Sequence, residues 1–326
     1  MVGNLLNLQN KSILITGATG FIGNHLLCIL EQNNYSITIA LRNPSNSNHR
    51  TIVVGEIDDR TSWKNALENI DVVIHLAARA HILQESVTNP EAEFDRINAE
   101  GTINLVKQCI KVGVKHFIFL SSIGAVTTLS NTIINESSLC NPDTPYGKSK
   151  LKAEQALEEL CQNGTMTYTI LRPTLVYGAN NPGNMERLLK LVAKGLPLPL
   201  GGINNSRSLV YVGNLVDAII TCIDHPQAKN QTFIVSDGED LSTPELIRRI
   251  GKAMNKTPLL LPIPSSLIKI GTKLLGKGEA GDRLLGSLQV DSGKIRKILN
   301  WQPPYTVDEG IKMTADWFKK MIKNEN

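Results

Sequence analysis

Residues 12–23, SILITGATGFIG, decide the fold of this chain. The short apolar run at the start is typical of a parallel strand buried on both faces. Apolar residues then recur at helical spacing from Phe21, so the strand leads directly into a helix. Gly17 permits a tight turn, Gly20 lets a phosphate approach the backbone, and Gly23 permits close packing of the helix. The stretch therefore predicts a pyrophosphate site at a helix N-terminus.

The spacing of the three glycines is GxxGxxG, and TGATGFIG resembles the extended branch of the short-chain dehydrogenase/reductase superfamily. That branch contains nucleotide-sugar epimerases, dehydratases and reductases. The chain resembles most the UDP-glucose 4-epimerase-like group of the NAD-dependent epimerase/dehydratase family. A subgroup contains the 4-ketoreductases that form UDP-N-acetylquinovosamine. The resemblance extends from the first strand to Trp301 and implies a bound NAD or NADP, with NAD held tightly if the protein is an epimerase.

Composition sets limits on the function. The 34 basic and 30 acidic residues give a net charge of +4 without long runs of one sign, which does not suggest nucleic-acid binding. Five widely spaced cysteines indicate reduced thiols, and the first residues do not resemble a signal peptide, so we expect a cytoplasmic location. No run approaches the roughly 20 apolar residues of a transmembrane helix. Residues 258–275 are interpreted as a packed lid element, with a membrane-surface helix as the alternative.

Apolar runs at 35–41, 51–54, 71–78, 116–120 and 168–171 alternate with helical patterns. Residues 171–178, LRPTLVYG, are expected to continue the last of these strands. The alternation predicts an α/β fold, a doubly wound parallel Rossmann sheet with a smaller, mostly helical C-terminal substrate domain. We expect residues 1–178 with 208–236 to bind NAD(P), and residues 179–207 with 237–326 to bind the nucleotide sugar.

The resemblance assigns cofactor contacts to the glycine turn, the strand ends and two helices. These residues are Gly17, Thr19, Gly20, Phe21, Ile22, Gly23, Arg42, Glu56, Ile57, Leu76, Ala77, Ala78, Asn98, Tyr146, Lys150 and Pro173. Arg42 stands where an NAD-specific site usually has a carboxylate for the ribose 2′-hydroxyl. It is either a solvated loop charge or a sign that NADP is bound or tolerated.

The chemistry is predicted to lie in PYGKSK, residues 145–150. Tyr146 and Lys150 are four residues apart and so share one helical face. A phenol has an ordinary pKa near 10, and a nearby ammonium favours the phenolate. Tyr146 would exchange a proton with a sugar oxygen while hydride moves between that carbon and the nicotinamide. Ser122, which ends a predicted strand, would orient the reacting oxygen, and Ser121 is the alternative.

Substrate contacts are carried over from the resemblance to Ser122, Asn184, Arg207 and Arg283, the two arginines as phosphate ligands. His75 is interpreted as structural, and the six histidines lack the spacing of metal ligands, so no metal site is expected. The chain departs from the family pattern at three places. No acidic residue follows the second strand, Asn214 replaces a frequent aspartate, and Ile123 with Gly124 replaces an acidic pair, which argues against a 4,6-dehydratase.

The sequence therefore predicts hydride chemistry at C4 of a UDP-hexose. An epimerase acting on UDP-glucose or a UDP-N-acetylhexosamine for surface polysaccharide synthesis is the first hypothesis, and a UDP-4-keto-6-deoxy-hexosamine 4-reductase is the alternative. A non-catalytic cofactor sensor or scaffold is the hypothesis of another class, and the intact Tyr146–Lys150 pair opposes it. The helices that carry Asn98 and Tyr146 are amphipathic and resemble a family dimer interface, so we expect a homodimer.

Overall fold

The computed structural model of the protein describes residues 11–33, 35–45, 47–80, 89–181, 183–276 and 278–325. Its strands are β1 Ser12–Thr16, β2 Ser36–Leu41, β3 Arg50–Val53, β4 Val72–His75, β5 His116–Leu120, β6 Thr167–Pro173, β7 Leu175–Tyr177, β8 Arg207–Tyr211, β9 Gln231–Val235 and β10 Asp240–Leu241. Its helices are α1 Phe21–Leu30, α2 Pro90–Phe94, α3 Gly101–Val112, α4 Pro145–Cys161, α5 Asn184–Lys194, α6 Val212–Asp224, α7 Thr243–Met254, α8 Ser265–Leu274, α9 Gly278–Leu285, α10 Gly293–Leu299 and α11 Val307–Glu325.

Seven strands form the main sheet in the order β3-β2-β1-β4-β5-β6-β9. Neighbours from β3 through β6 pair in parallel, and Thr16 at the end of β1 lies opposite His75 at the end of β4. The strand order reverses direction between β1 and β4, and ligands of open α/β sheets bind beside the carboxyl ends of strands at such a point. The predicted Rossmann fold is confirmed, and the site is expected at this edge.

The interior of β1 explains why this stretch organises the chain. Ile13, Leu14 and Ile15 are fully buried because helices cover both faces of the sheet. His75 on β4 is also buried, and its two ring nitrogens hydrogen-bond the hydroxyls of Thr16 at 2.7 Å and Thr102 at 2.9 Å. Burial lowers the pKa of His75 to about 3. The ring is therefore neutral and links two strands to α3, as its interpretation as a structural residue requires.

The chain forms two compact units. One contains residues 1–126, 140–172 and 219–233, and the other contains 127–139, 173–218 and 234–326. The bounds proposed from sequence agree with this division for residues 219–233, but they placed residues 127–139, 173–178, 208–218 and 234–236 with the first unit, whereas the structure places them with the second. In the second unit, a small sheet of order β10-β8-β7 is accompanied by the helices α5 and α7 through α11.

The prediction that residues 168–178 form one continuous strand is wrong. β6 ends at Pro173, Thr174 donates from its backbone nitrogen to the carbonyl of Val235 at 3.1 Å, and β7 then pairs with β8 of the small sheet. The residues are extended throughout, and the change of sheet depends on long-range pairing that a local apolar pattern does not specify.

Asn214, the residue that replaces a frequent aspartate, is completely buried in the second unit. Its amide nitrogen donates to Asp237 Oδ1 at 2.7 Å and to the Tyr305 carbonyl at 2.8 Å, while its oxygen accepts from the Tyr305 backbone nitrogen at 2.9 Å. Burial raises the pKa of Asp237, and the hydrogen bond from Asn214 opposes that rise. An aspartate at position 214 would place a second carboxylate beside Asp237, which explains the amide here.

The interpretation of residues 258–275 as a packed lid is wrong for α8, whereas Leu259 and Leu261 form backbone hydrogen bonds with Leu198. α8 has no buried residue, and Leu267, Ile270 and Leu274 are each more than half exposed. Helical periodicity gives α8 an apolar face, but the periodicity does not show whether anything covers that face. Within the part of the chain that the structure describes, no helix has the length and apolarity needed to cross a bilayer.

Candidate active site

The turn between β1 and α1 fits a pyrophosphate. Gly17 has a φ of +71°, and a Cβ there would lie 2.6 Å from the backbone nitrogen of Ala77. A Cβ at Gly23 would collide with the backbone of Gly17 and Ala18, so this glycine lets α1 begin close to the strand. Gly20 is the N-cap of α1, and no side chain caps the helix there. Because little surrounds Gly20, the first N–H groups of α1 remain open to an anion.

The first turn of α4 brings the predicted catalytic residues together. The Thr144 hydroxyl accepts from the Gly147 nitrogen at 3.1 Å and so caps the N-terminus of α4. Pro145 occupies the first turn, where proline favours the start of a helix. A Cβ at Gly147 would collide with the carbonyl oxygen of Gly124. The absence of a side chain at Gly147 therefore lets α4 pack against the turn that follows β5, which carries Ser122.

The Ser122 hydroxyl lies near the phenol of Tyr146, and the edge of the Tyr146 ring meets Phe94 at a centroid distance of 6.1 Å. Burial raises the pKa of Tyr146 to about 12, and the nearby Ser122 hydroxyl opposes the rise. The Ser122 hydroxyl also accepts from the Gly124 nitrogen at 3.0 Å, which fixes its orientation. The protein by itself thus holds Tyr146 as a neutral phenol, and further positive charge is needed to favour the phenolate.

Lys150 lies one turn after Tyr146 and is only 1% exposed. Its Nζ atom is 4.3 Å from the ring centroid of Phe119 on β5. Burial lowers the pKa of Lys150 to about 7, while the charge of Glu154 raises it. The sequence predicted that Lys150 lowers the pKa of Tyr146. In the structure, burial is the largest cause of the pKa shift of both residues. The charged form of Lys150 is favoured by Glu154 and by the ring of Phe119.

The pair Glu154–Arg172 was missed by the sequence interpretation. Arg172 on β6 donates through Nε to both carboxylate oxygens of Glu154 at 3.1 Å and through Nη2 to Oε2 at 2.5 Å. The side chains are 8% and 2% exposed. Glu154 follows Lys150 by four residues, just as Lys150 follows Tyr146. The same helical spacing therefore places Glu154 on the face of α4 that carries Tyr146 and Lys150.

Asn98 lies in a single π-helical segment, Asp95–Glu100, between α2 and α3. Its amide oxygen accepts from the Arg79 nitrogen at 2.7 Å, and its amide nitrogen donates to the Arg79 carbonyl at 3.1 Å and to Ser149 Oγ at 3.1 Å. Ser149 in turn donates to the Tyr146 carbonyl at 2.8 Å. Asn98 therefore links the chain leaving β4 to the first turn of α4.

The remaining predicted cofactor residues lie at the carboxyl ends of the strands. Leu76 and Ala77 follow β4 and donate from their nitrogens to the carbonyl and the hydroxyl of Thr16, both at 3.2 Å. Glu56 accepts from Arg96 at 3.2 Å on the surface. The Ser121 hydroxyl, at the end of β5, is buried without a hydrogen-bond partner among the described residues. Six more of these residues also belong to the first unit: Thr19, Phe21, Ile22, Arg42, Ile57 and Ala78. Pro173, the last residue of β6, belongs to the second unit.

In the second unit, the two predicted phosphate ligands are neighbours. Arg207 Nη1 donates to the carbonyls of Arg283 at 2.6 Å and Gly286 at 3.1 Å, and burial lowers the pKa of Arg207. The Arg283 side chain is exposed on α9. Asn184 is the first residue of α5, and its side chain lies outside the described residues. Roles in substrate binding remain predictions for all three.

The fold and this Ser–Tyr–Lys arrangement define a short-chain dehydrogenase/reductase. Residues 13–236 match the NAD dependent epimerase/dehydratase family, and the chain belongs to that family of enzymes. It is 44% identical over 314 residues to the UDP-glucose 4-epimerase of Vibrio cholerae, covering 94% of this chain and 95% of the relative.

Two further comparisons cover nearly the whole chain. It is 29% identical over 325 residues to the N-acetyl-α-D-glucosaminyl-diphospho-ditrans,octacis-undecaprenol 4-epimerase of Escherichia coli O157:H7, covering 95% of this chain and 96% of the relative. The crystal structure of the Thermotoga maritima UDP-glucose 4-epimerase with UDP-glucose aligns with a TM-score of 0.75 at 24% identity, over 96% of this chain and all of that one. The predicted family, fold and NAD-type cofactor are confirmed.

Arg42 allows a prediction about cofactor choice. It follows β2, is exposed, and has no ion pair with any other described residue. A 2′-phosphate would meet a guanidinium there without a competing carboxylate. We expect NADP(H) to bind no more than about tenfold more weakly than NAD(H), a difference of about 1.4 kcal/mol.

Calorimetric titration of both cofactors tests this expectation. Arg42→Ala should weaken NADP(H) binding while NAD(H) binding stays the same, and Arg60→Ala, at another exposed arginine, should change neither. A hundredfold preference of the unaltered protein for NAD would refute the role given to Arg42.

Proposed function

We propose that the protein is a UDP-sugar 4-epimerase acting on UDP-glucose or a UDP-N-acetylhexosamine. The observation that carries the proposal is the 44% identity to the Vibrio cholerae UDP-glucose 4-epimerase over 94% of the chain. The side chains of the candidate site support it, because Ser122 lies near Tyr146, and Lys150 lies one helical turn further along α4, over Phe119 of β5.

Each of the three side chains has a defined task in this proposal. Tyr146 removes the proton of the C4 hydroxyl and later returns it, and Ser122 holds the same sugar oxygen by a hydrogen bond. Lys150, neutral or charged near pH 7, supplies positive charge to the tyrosine when protonated. When bound, NAD supplies an acceptor and donor of hydride at C4. The 4-keto sugar must then rotate within the site, so that hydride returns to the opposite face of C4.

The residues after Ser122 support epimerisation or reduction and oppose dehydration. Ile123 is 6% exposed, and Gly124 is buried beneath the first turn of α4. Loss of water across C5 and C6 needs an acid and a base close to the sugar. Neither residue can serve as an acid or a base, and a Cβ at position 124 would already lie 3.2 Å from Ser122 Oγ.

A 4-ketoreductase is the second candidate, and Arg42 without a neighbouring carboxylate favours it. A reductase must release its oxidised cofactor in every cycle, whereas an epimerase retains the cofactor. A non-catalytic sensor or scaffold is opposed by the placement of Ser122 near Tyr146, since a scaffold has no need for that arrangement.

Incubation of the purified protein with UDP-glucose, UDP-N-acetylglucosamine and a UDP-4-keto-6-deoxy-hexosamine, with and without NAD(P)H, separates the candidates. Interconversion of 4-epimers without change in absorbance at 340 nm supports the epimerase. Stoichiometric loss of NAD(P)H with the keto sugar alone supports the reductase and refutes the first proposal. Undecaprenyl-diphosphate-linked N-acetylglucosamine is a useful fourth substrate because the Escherichia coli relative is named for it.

For the second unit, we propose that Arg207 and Arg283 bind the substrate diphosphate and that Asn184 lies near it. The hydrogen bond from Arg207 Nη1 to the Arg283 carbonyl supports this, since it brings the guanidinium of Arg207 to the backbone of Arg283. A cytoplasmic location and a role in surface polysaccharide synthesis belong to the same proposal, because nucleotide sugars are their precursors.

We also propose a homodimer formed through α3 and α4. Lys148 and Lys152 on the exposed side of α4 pair with Glu91 at 3.0 Å and Asp95 at 2.9 Å within the chain. Sedimentation velocity at micromolar concentration is expected to give a dimer. A monomer would contradict this part of the proposal.

A further inference from the structure

Residues 256–277, named here the apolar–basic segment, contain four lysines and no aspartate or glutamate. The segment includes α8 and the extended residues before it. Six large apolar side chains are exposed between residues 259 and 275, with exposures from 38% to 82%. These six are Leu259, Leu261, Leu267, Ile270, Leu274 and Leu275. Exposed apolar surface concentrated in this way marks an interaction site.

The exposed side chains of α8 form one face. Leu267, Ile270 and Leu274 are spaced by three and four residues, so they lie along one side of the helix. The opposite side contacts α9, because Lys269 pairs with Asp282 at 2.9 Å and Thr272 lies directly against Gly281. α9 therefore covers the opposite side of α8 and leaves its apolar face exposed.

The charge of the apolar–basic segment indicates which kind of partner would bind it. Lys256 and Lys273 are exposed and have no carboxylate partner in the described parts of the chain, whereas Lys269 is paired. A helix with an apolar face, lysines beside it and no acidic residue has the composition of helices that lie at the surface of anionic membranes. We propose that the apolar–basic segment docks the protein onto an anionic phospholipid bilayer, with α8 lying in the interface.

This proposal is independent of the reaction at Tyr146, because the segment contains none of the residues assigned to the site. Flotation of the full-length protein with vesicles of phosphatidylcholine containing 30% phosphatidylglycerol tests it. We expect binding that is at least tenfold stronger than to pure phosphatidylcholine and that weakens as salt is raised.

Leu267→Ser combined with Leu274→Ser should lower the partition constant at least tenfold, and Lys273→Glu should lower it about fivefold or more. The matched controls Leu139→Ser, at an apolar side chain 89% exposed elsewhere, and Lys64→Glu should change it less than twofold. All variants should turn over soluble UDP-sugar as the unaltered protein does.

Three results would overturn the proposal. The first is no binding of the unaltered protein to the anionic vesicles. The second is binding that the α8 variants and the controls weaken equally. The third is a dimer in sedimentation velocity that dissociates in the Leu267→Ser, Leu274→Ser variant, which would show that a second copy of the chain covers this face.

Discussion

Tyr146→Phe is expected to lower turnover by roughly 10²- to 10⁴-fold, the range for loss of a proton-transfer group. Binding of the UDP-sugar should stay nearly the same, because phenylalanine keeps the ring and its edge contact with Phe94. The reason for the large effect is the absence of a substitute: Lys150 is buried beneath Phe119, and Ser122 is oriented by its bond from the Gly124 nitrogen. Steady-state kinetics with calorimetric binding of the substrate would measure both quantities.

Tyr168→Phe is the matched control, since it removes a partly buried hydroxyl from β6 in the same unit and should leave turnover within about twofold. Ser122→Ala should lower turnover, whereas Ser121→Ala should have little effect if Ser122 alone orients the substrate. Turnover of the Tyr146→Phe variant close to that of the unaltered enzyme would move the chemistry to another residue.

Arg172→Met is expected to lower the free energy of unfolding by roughly 3–5 kcal/mol. The substitution leaves the Glu154 carboxylate, only 2% exposed, without the guanidinium that donates three hydrogen bonds to it. A buried charge that loses its partner retains the full cost of desolvation. Urea unfolding followed by tryptophan fluorescence gives the change in stability.

Two comparisons control this measurement. Lys190→Met breaks the exposed pair of Glu186 and Lys190 on α5 and should cost less than about 1 kcal/mol. Arg172→Met combined with Glu154→Leu removes both charges and should recover part of the lost stability. A loss below about 1 kcal/mol in the single variant would show that the pair has little effect on stability.

Local patterns were sufficient to predict most of the first unit from the sequence. The buried run of β1, the glycine turn and the spacing of Tyr146 and Lys150 each act within a few residues, and the parallel order follows from the alternation of strands and helices. The end of β6 was not predictable in this way. Whether Thr174 continues the sheet depends on Val235, a residue 61 positions away, and a local pattern carries no information about that partner.

Within the site, the sequence identified the residues but not their electrostatics. It predicted a lysine that lowers the pKa of Tyr146, whereas burial dominates for both residues and lowers the pKa of Lys150 to about 7. Burial is a property of the folded chain, and it cannot be read from the spacing of two residues. The buried pair Glu154–Arg172 was missed because its two residues come from different elements. Arg172 lies on β6, which follows α4 in sequence, and helical spacing cannot predict a partner on a strand.

The π-helical segment Asp95–Glu100 makes the site sensitive to the rotational phase of a helix as well as to the identity of its side chains. Each residue of an α-helix turns by about 100°, and a π-turn accommodates one additional residue. Because of that residue, Arg96 faces the carboxylates beyond β3, Asn98 faces α4, and Thr102 faces β4. Deleting one residue here would restore an ordinary helix and rotate everything before the deletion by about 100° relative to α3. Every side chain of the site would then be present, yet α4 would lose the hydrogen bond that Asn98 donates to Ser149.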